Sequence, residues 1–298
     1  MAFCYNPPSA AHIVLSPKEA TQVELVFFTK SLKGMDIMAT ATEVKNLGFE
    51  GMDLAVRPGY CINPENVATE LPTAVRLWAD MGLSVPMVTT PTDFTDPRDP
   101  AAERLLAACG EAGVREVKLG YWRYQEQGYW DDVVAIRGAL DKFAQLAEKH
   151  GVRVAIHTHS GYFYGLNAAS AMHLVQGMDP RHVGVYLDPG HLAINGEPIE
   201  IAVDMVRSYL CLVAMKDMAY IRTEREGRTV WGHTLVPFRE GLVDWPGVLK
   251  ALVRVGYDGP LSFHSEYHDV SLDELRSLTR DDLNYIRELL DRMDQAPA

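Results

Sequence analysis

Between Val152 and Glu197 the sequence reads VRVAIHTHSGYFYGLNAASAMHLVQGMDPRHVGVYLDPGHLAINGE, and both of its β-rich runs end in ionisable side chains. In VRVAIHTH, His157 and His159 lie two apart and share a strand face, because successive side chains alternate sides. VGVYLDPGH repeats the arrangement, with Asp188 at the end of the run and His191 beyond a Pro-Gly pair. Imidazole titrates near neutrality, so such groups carry protons or hold metals. Asp-Pro-Gly is also ordinary turn chemistry. The inference therefore rests on two consecutive units ending alike, which points to one cleft at the carboxyl end of a parallel sheet.

Other β runs end in the same kind of group: Asp53 and Arg57, Lys118, Lys216 and Asp217, and His264 and Glu266. His157, Asp188 and His264 together offer two imidazoles and a carboxylate, a donor set suited to Mn²⁺, Zn²⁺, Co²⁺ or Fe²⁺ with positions left for substrate. No local spacing such as HExxH supports that set, and a hydrogen-bonded polar cluster is the alternative. Glu266, His191 and His159 are the candidate proton carriers, with Lys216 placed to steady a developing negative oxygen. Lys118 and Arg57 are candidates for holding substrate oxygens, a phosphate or a carboxylate. Aromatic residues crowd the loops after the fourth and fifth runs, and of these Trp122 and Tyr162 are the candidates for stacking on a sugar face.

Eight β runs precede or follow these groups: VELVFF (23–28), EGMDLAVR (50–57), LSVPMVTT (83–90), VREVKLG (114–120), VRVAIHTH, VGVYLDPGH, LCLVAMKD (210–217) and GPLSFHSEY (259–267). Helical patterns fall between them, among them Asp36–Asn46, Ala101–Ala112, Asp131–His150, Trp245–Val255 and Thr279–Met293. Alternation of this kind counts out an α/β fold, a single (β/α)8 TIM barrel over residues 23–298, preceded by a Pro-bearing arm at 1–22. Pro86 inside the third run calls for an edge or a bulge. The stretch 218–243 reads as a long polar loop, a lid or the subunit contact of a homo-oligomer.

Composition narrows the classes. The 298 residues carry a net charge of −12, from 28 basic against 40 acidic side chains, which excludes nucleic acid and anionic membrane surfaces as expected partners. Neither GxGxxG nor GxxxxGK[ST] is present, so no nucleotide cofactor and no open doubly wound sheet is expected. The four cysteines form no CxxC pair, and no 18-residue apolar run or secretory start occurs; a cytoplasmic protein is the expectation.

GVRVAIHTH, GVYLDPGH, AMKD and the closing VDWPGVLKALVRVGYDGPLSFHSEY resemble the xylose-isomerase-like TIM barrels, from about Val23 to Met293. That superfamily holds sugar isomerases, epimerases and lyases as well as the family 2 AP endonucleases. The resemblance implies a divalent metal at the barrel mouth and chemistry beside the carbonyl of a sugar, keto-sugar or polyol. Carried over by position, the family's strand-six Asp falls on Asp188 and the His after it on His191. Its strand-five and strand-eight Glu residues fall on His157 and His264, and its strand-seven His on Ala214. Two Glu-to-His exchanges remove the paired carboxylates that shuttle protons in the epimerases and favour borderline metals over Mg²⁺. The alternative is a metal-free, non-catalytic sugar-binding or regulatory barrel.

Overall fold

The computed structural model of the chain describes residues 23–126 and 128–295; the arm expected at 1–22 lies outside them. Strands β1 (Leu25–Phe28), β2 (Gly51–Ala55), β3 (Ser84–Thr89), β4 (Glu116–Lys118), β5 (Arg153–His157), β6 (Val183–Leu187) and β7 (Leu210–Met215) are followed by a hairpin, β8 (Asp217–Arg225) and β9 (Arg228–Val236). A last strand, β10 (Leu261–Phe263), completes the set. β1 to β7 and β10 close into one parallel barrel in the order β1-β10-β7-β6-β5-β4-β3-β2. The expected (β/α)8 barrel is the fold.

The helices form where the chain supplies start and stop signals. α1 (Ile37–Leu47) begins at Asp36, whose carboxylate accepts from the Ala39 amide at 2.7 Å, and ends at Gly48 in the left-handed region. α3 (Pro100–Ala112) repeats this with Asp99 and Gly113, and α8 (Trp245–Val255) with Asp244 and Gly256. α2 (Val67–Asp80) runs on through Pro72, α4 spans Tyr129–His150, and α5, α6 and α7 span Ala168–Val175, Pro189–Ile194 and Ile199–Val206. The last helix, α9 (Leu272–Asp294), starts at Leu272 rather than Thr279. Ser271 and Glu274 make a reciprocal capping box there, a local signal that outweighs the weaker apolar periodicity of the first turns.

Helix stripes carrying Leu47, Trp78, Leu106, Phe143, Leu174 and Trp245 bury against the outer face of the strands. Each such side chain contributes roughly 1.5–3 kcal/mol on burial. Inside the barrel a small second cluster holds Met87, Ala155, Tyr186, Leu212 and Ala214. Pro86 sits in a bulge: Gly51 pairs with Ser84 but Asp53 pairs with Met87, which leaves an extra residue on β3 and no ladder bond for proline to break.

The stretch 218–243 is not a loop. Its first part pairs antiparallel from Asp217↔Val236 to Arg225↔Arg228, turning at Glu226 and Gly227, both at positive φ as a tight hairpin requires. The strands escape a sequence reading because much of each is exposed, so selection for alternate apolar residues is absent. Asp217 anchors the hairpin to the barrel rather than serving the mouth. Its Oδ1 accepts from the amides of Met218 and Val243 at 2.8 and 3.0 Å, and its Oδ2 from Trp245 Nε1 at 2.9 Å. A Cβ on Gly241 would fall 1.9 Å from that Oδ1, so this approach needs glycine.

Candidate functional site

Period-two alternation delivers one set of side chains to the barrel interior. From β2 it is Asp53, from β3 Thr89, from β4 Lys118, from β5 His157, from β6 Tyr186 with Asp188 beyond it, from the end of β7 Lys216, and from β10 Ser262 with His264 beyond it. At the carboxyl ends of these strands lies a cavity of about 280 Å³. Lys118, His157, His159, Lys216, His264 and Glu266 line it, together with Arg57.

Asp188 is the hub of one side. It caps the short helix α6, its Oδ1 accepting from the His191 amide at 3.1 Å, with Pro189 in the first turn. Gly190 follows because a Cβ there would meet the Lys216 carbonyl at 2.7 Å. Asp188 Oδ2 lies 3.1 Å from His157 Nε2, 3.2 Å from Lys216 Nζ and 3.8 Å from His191 Nε2. Lys216 Nζ also lies 3.4 Å from Glu266 Oε2, and Lys30 binds the other oxygen of Glu266. The Lys216 ammonium is thus held between two carboxylates. Burial disfavours its charge, but Asp188 and Glu266 outweigh burial and raise its pKa above 10.5. Burial raises Asp188 and Glu266 in turn, and the Lys216 charge then brings Asp188 below the usual range and Glu266 well below it.

Asp53 is the hub of the other side, and its oxygens are taken by hydroxyls. Thr89 Oγ1 donates to Oδ1 at 2.6 Å and Ser262 Oγ to Oδ2 at 2.9 Å. Tyr186 Oη bridges Asp53 Oδ2, at 3.3 Å, and His264 Nε2, at 2.7 Å. His264 Nδ1 lies 3.5 Å from Glu266 Oε2. Tyr121 Oη is 2.6 Å from His157 Nδ1, and Ser160 Oγ is 2.8 Å from His191 Nδ1. Burial, then neighbouring lysine charge, pushes His157 and His191 well below 6.5 and His159 down to about 4, so all three rings are neutral near pH 7.

The chemistry-bearing residues read from the sequence mostly converge. His159 lines the cavity, whereas His191 lies behind it, its ring 3.8 Å from that of His159 between centroids. Lys118 and Arg57 line the cavity as well. Trp122 and Tyr162 do not: Trp122 borders a neighbouring cleft of about 430 Å³, and Tyr162 is 77% exposed while its neighbour Phe163 turns inward. Sequence reasoning missed Tyr186, Lys30 and Arg123. Tyr186 carried a signal, two residues before Asp188 on the same strand face; Lys30 and Arg123 lie past strand ends and carried none.

The expected metal set of His157, Asp188 and His264 does not fit a cation in this arrangement. His157 Nε2 and the Lys216 ammonium are both directed at the same Asp188 oxygen. His264 turns its Nε2 to Tyr186, and its ring centroid lies 5.9 Å from that of His157. Ligand bonds near 2 Å would require displacing the ammonium, and a dication beside Lys216 and Lys118 would be repelled. Among the described residues no group of three or more His, Cys, Asp or Glu side chains is disposed to hold a metal.

Comparison with known proteins matches residues 41–289 to the profile of the xylose isomerase-like TIM barrel. The uncharacterized protein MJ1311 of Methanocaldococcus jannaschii is 21% identical over 129 residues, a stretch covering 43% of this chain and 41% of that protein. Among solved structures, the apo 3-keto-D-glucoside 4-epimerase YcjR of E. coli superposes with a TM-score of 0.69 at 17% identity, covering 90% of this chain and 100% of that one. An L-ribulose 3-epimerase gives 0.68 at 18%, covering 91% and 95%. A xylose isomerase-like TIM barrel protein of Mycobacterium smegmatis in complex with magnesium gives 0.67 at 16%, covering 92% and 98%. At these identities the likeness is one of fold. No helix of the described residues is long and apolar enough to cross a membrane.

Proposed function

This chain belongs to the xylose isomerase-like TIM barrel family, and on that premise we propose that it is an isomerase, epimerase or lyase acting beside a carbonyl of a sugar, keto-sugar or polyol. The observation that carries the reading is the position of Lys216, a charged ammonium at the cavity wall between Asp188 and Glu266. Epimerase neighbours of the same fold support the substrate class.

Glu266, a carboxylate lining the cavity, takes a proton from the carbon beside the carbonyl. The electron pair moves onto the carbonyl oxygen, and the Lys216 ammonium stabilises the resulting enolate. Passing the neighbouring hydroxyl proton to the enolate oxygen and returning the carbon-bound proton to the former carbonyl carbon isomerises the sugar. Placing a proton on the opposite face of the same carbon epimerises it, and passing the proton held by Glu266 to a departing β-hydroxyl, which leaves as water, makes the reaction a lyase step. β10, which precedes Glu266, is separated from β5, which precedes His159, by β7 and β6. The two groups thus approach a flat enolate from different sides, with His159 rather than His191 as the second carrier at the cavity. Neutral at rest, His159 delivers a proton only after taking one from solvent, and Glu266 releases its own to solvent. His191 then holds the His159 ring in place. No step is routed through a metal, because the donor set does not accept one.

The test is exchange of carbon-bound hydrogen with deuterated water, followed by NMR over a panel of ketoses, aldoses and sugar acids. Exchange at the carbon beside the carbonyl is expected, and Glu266→Gln should slow it about a hundredfold. Binding without exchange across the panel would replace this reading with a non-catalytic sugar-binding barrel.

A further inference from the structure

Five basic side chains line the cavity, Lys30, Arg57, Lys118, Arg123 and Lys216, against one carboxylate, Glu266, in a chain whose net charge is −12. Lys216 and Lys30 are accounted for by their ion pairs with Glu266 and Asp188. The other three are not. Lys118 is 1% exposed, yet its Nζ has no hydrogen-bond partner among the described residues; the ring of Tyr121 faces it, 3.4 Å from the centroid. Arg57 spends Nε on the Thr90 carbonyl at 3.1 Å and lies 5.5 Å from the Phe28 ring centroid. Arg123 lies 4.8 Å from that of Phe163, and among the described residues neither guanidinium has an ion-pair partner.

A buried ammonium without an acceptor is costly, and chains avoid it unless something else supplies the acceptor. The nearby acids are spoken for: Asp53 by Thr89, Ser262 and Tyr186, and Asp188 by Lys216, His157 and His191. Among the described residues no acceptor is left for the Lys118 amine, and a ligand in the cavity can supply one. Resting on the sugar chemistry proposed above, we propose that the substrate is a sugar acid, whose carboxylate is received by Lys118 with Arg57 and Arg123. A carboxylate suits the site better than a phosphate. The cavity of about 280 Å³ is at the small end for ligand sites, and no glycine is among its described lining residues to open backbone amides to a phosphoryl group. Lys216 and Glu266 then face the carbon chain at the far end of the same ligand.

The experiment is calorimetric titration of the full chain with D-gluconate, D-glucuronate, D-fructose, D-glucose and D-fructose 6-phosphate, repeated in Lys118→Met and Arg123→Gln. The sugar acids should bind about tenfold or more tightly than the neutral sugars, and Lys118→Met should remove that preference. Thermal melting of each variant shows whether it is folded, and Arg123→Gln, at an exposed position, reports the same preference if Lys118→Met fails to fold. Neutral sugars binding as well as the acids, Lys118→Met keeping the preference, or no acid binding at about 50 mM, where even a weak site at that dissociation constant is half filled, would overturn the proposal. Tighter binding of the 6-phosphate would overturn the carboxylate assignment. The readout is binding, so a protein that takes up sugar acids yet exchanges no carbon-bound hydrogen fails the catalytic reading and keeps this one.

Discussion

Lys118 and Lys216 occupy equivalent places on opposite parts of the barrel mouth, at the ends of β4 and β7, and both are buried. They are held in opposite electrostatic states. Lys216 lies 3.2 and 3.4 Å from two carboxylates, and their attraction exceeds the cost of burial. Lys118 has burial and then the Arg57 charge against it, and these push its pKa well below 10.5. Depth alone therefore does not decide what a buried lysine does; the acids within reach do. One ammonium is part of the resting structure, and the other waits for a ligand.

The comparison can be broken most forcefully at Lys216. Replacing it by methionine leaves Asp188 buried without its cation and Glu266 with Lys30 alone, at an expected cost of about 3–5 kcal/mol. Urea unfolding measures that cost, and stability equal to the parent would show that the ion pairs are not the structural centre of the mouth.

The alkaline limb sharpens the contrast, with opposite signs for the two lysines. The folded pKa of Lys216 is raised, so its contribution is fully present below 10.5 and is lost as pH climbs through the folded value. The folded pKa of Lys118 is depressed, so the unfolded chain binds more protons and the penalty shrinks as pH rises toward 10.5. At pH 7 Lys118→Met should be about 1–3 kcal/mol more stable than the parent, a gain that fades by pH 10.5. A gain independent of pH would mean that packing, not charge, was relieved.

The smallest expected effect is none. Millimolar Zn²⁺, Mn²⁺ or Co²⁺ should leave the melting temperature unchanged, since a cation bound only by the folded state must raise it. A rise of several degrees that Lys216→Met leaves unchanged or enlarges would show that a metal can take the place of the Lys216 ammonium.

Much of the barrel was legible because it is written in short-range patterns. The start and stop signals of α1, α3 and α8, and the eight β runs, most of them with polar carboxyl ends, need only neighbours along the chain. The hairpin β8–β9 was not legible, because exposed strands lack the apolar alternation that marks buried ones. The site was legible as a roster of residue types more than as an arrangement. Strand alternation placed His157, Lys216, His264 and Glu266 at one cavity, but Trp122 and Tyr162, in loops without a period, went elsewhere.

Local chemistry thus settled that six of the eight β runs end in ionisable groups and that those ends face one cleft. Which carboxylate each cation found is a matter of distances near 3 Å between residues tens to more than two hundred positions apart. Such distances follow from barrel closure and strand register, to which no sequence spacing has access. Only the packed fold decided that Lys216 stands between Asp188 and Glu266, and that Lys118 is left unpaired among the described residues, since both outcomes depend on desolvation and on competition for a few shared oxygens.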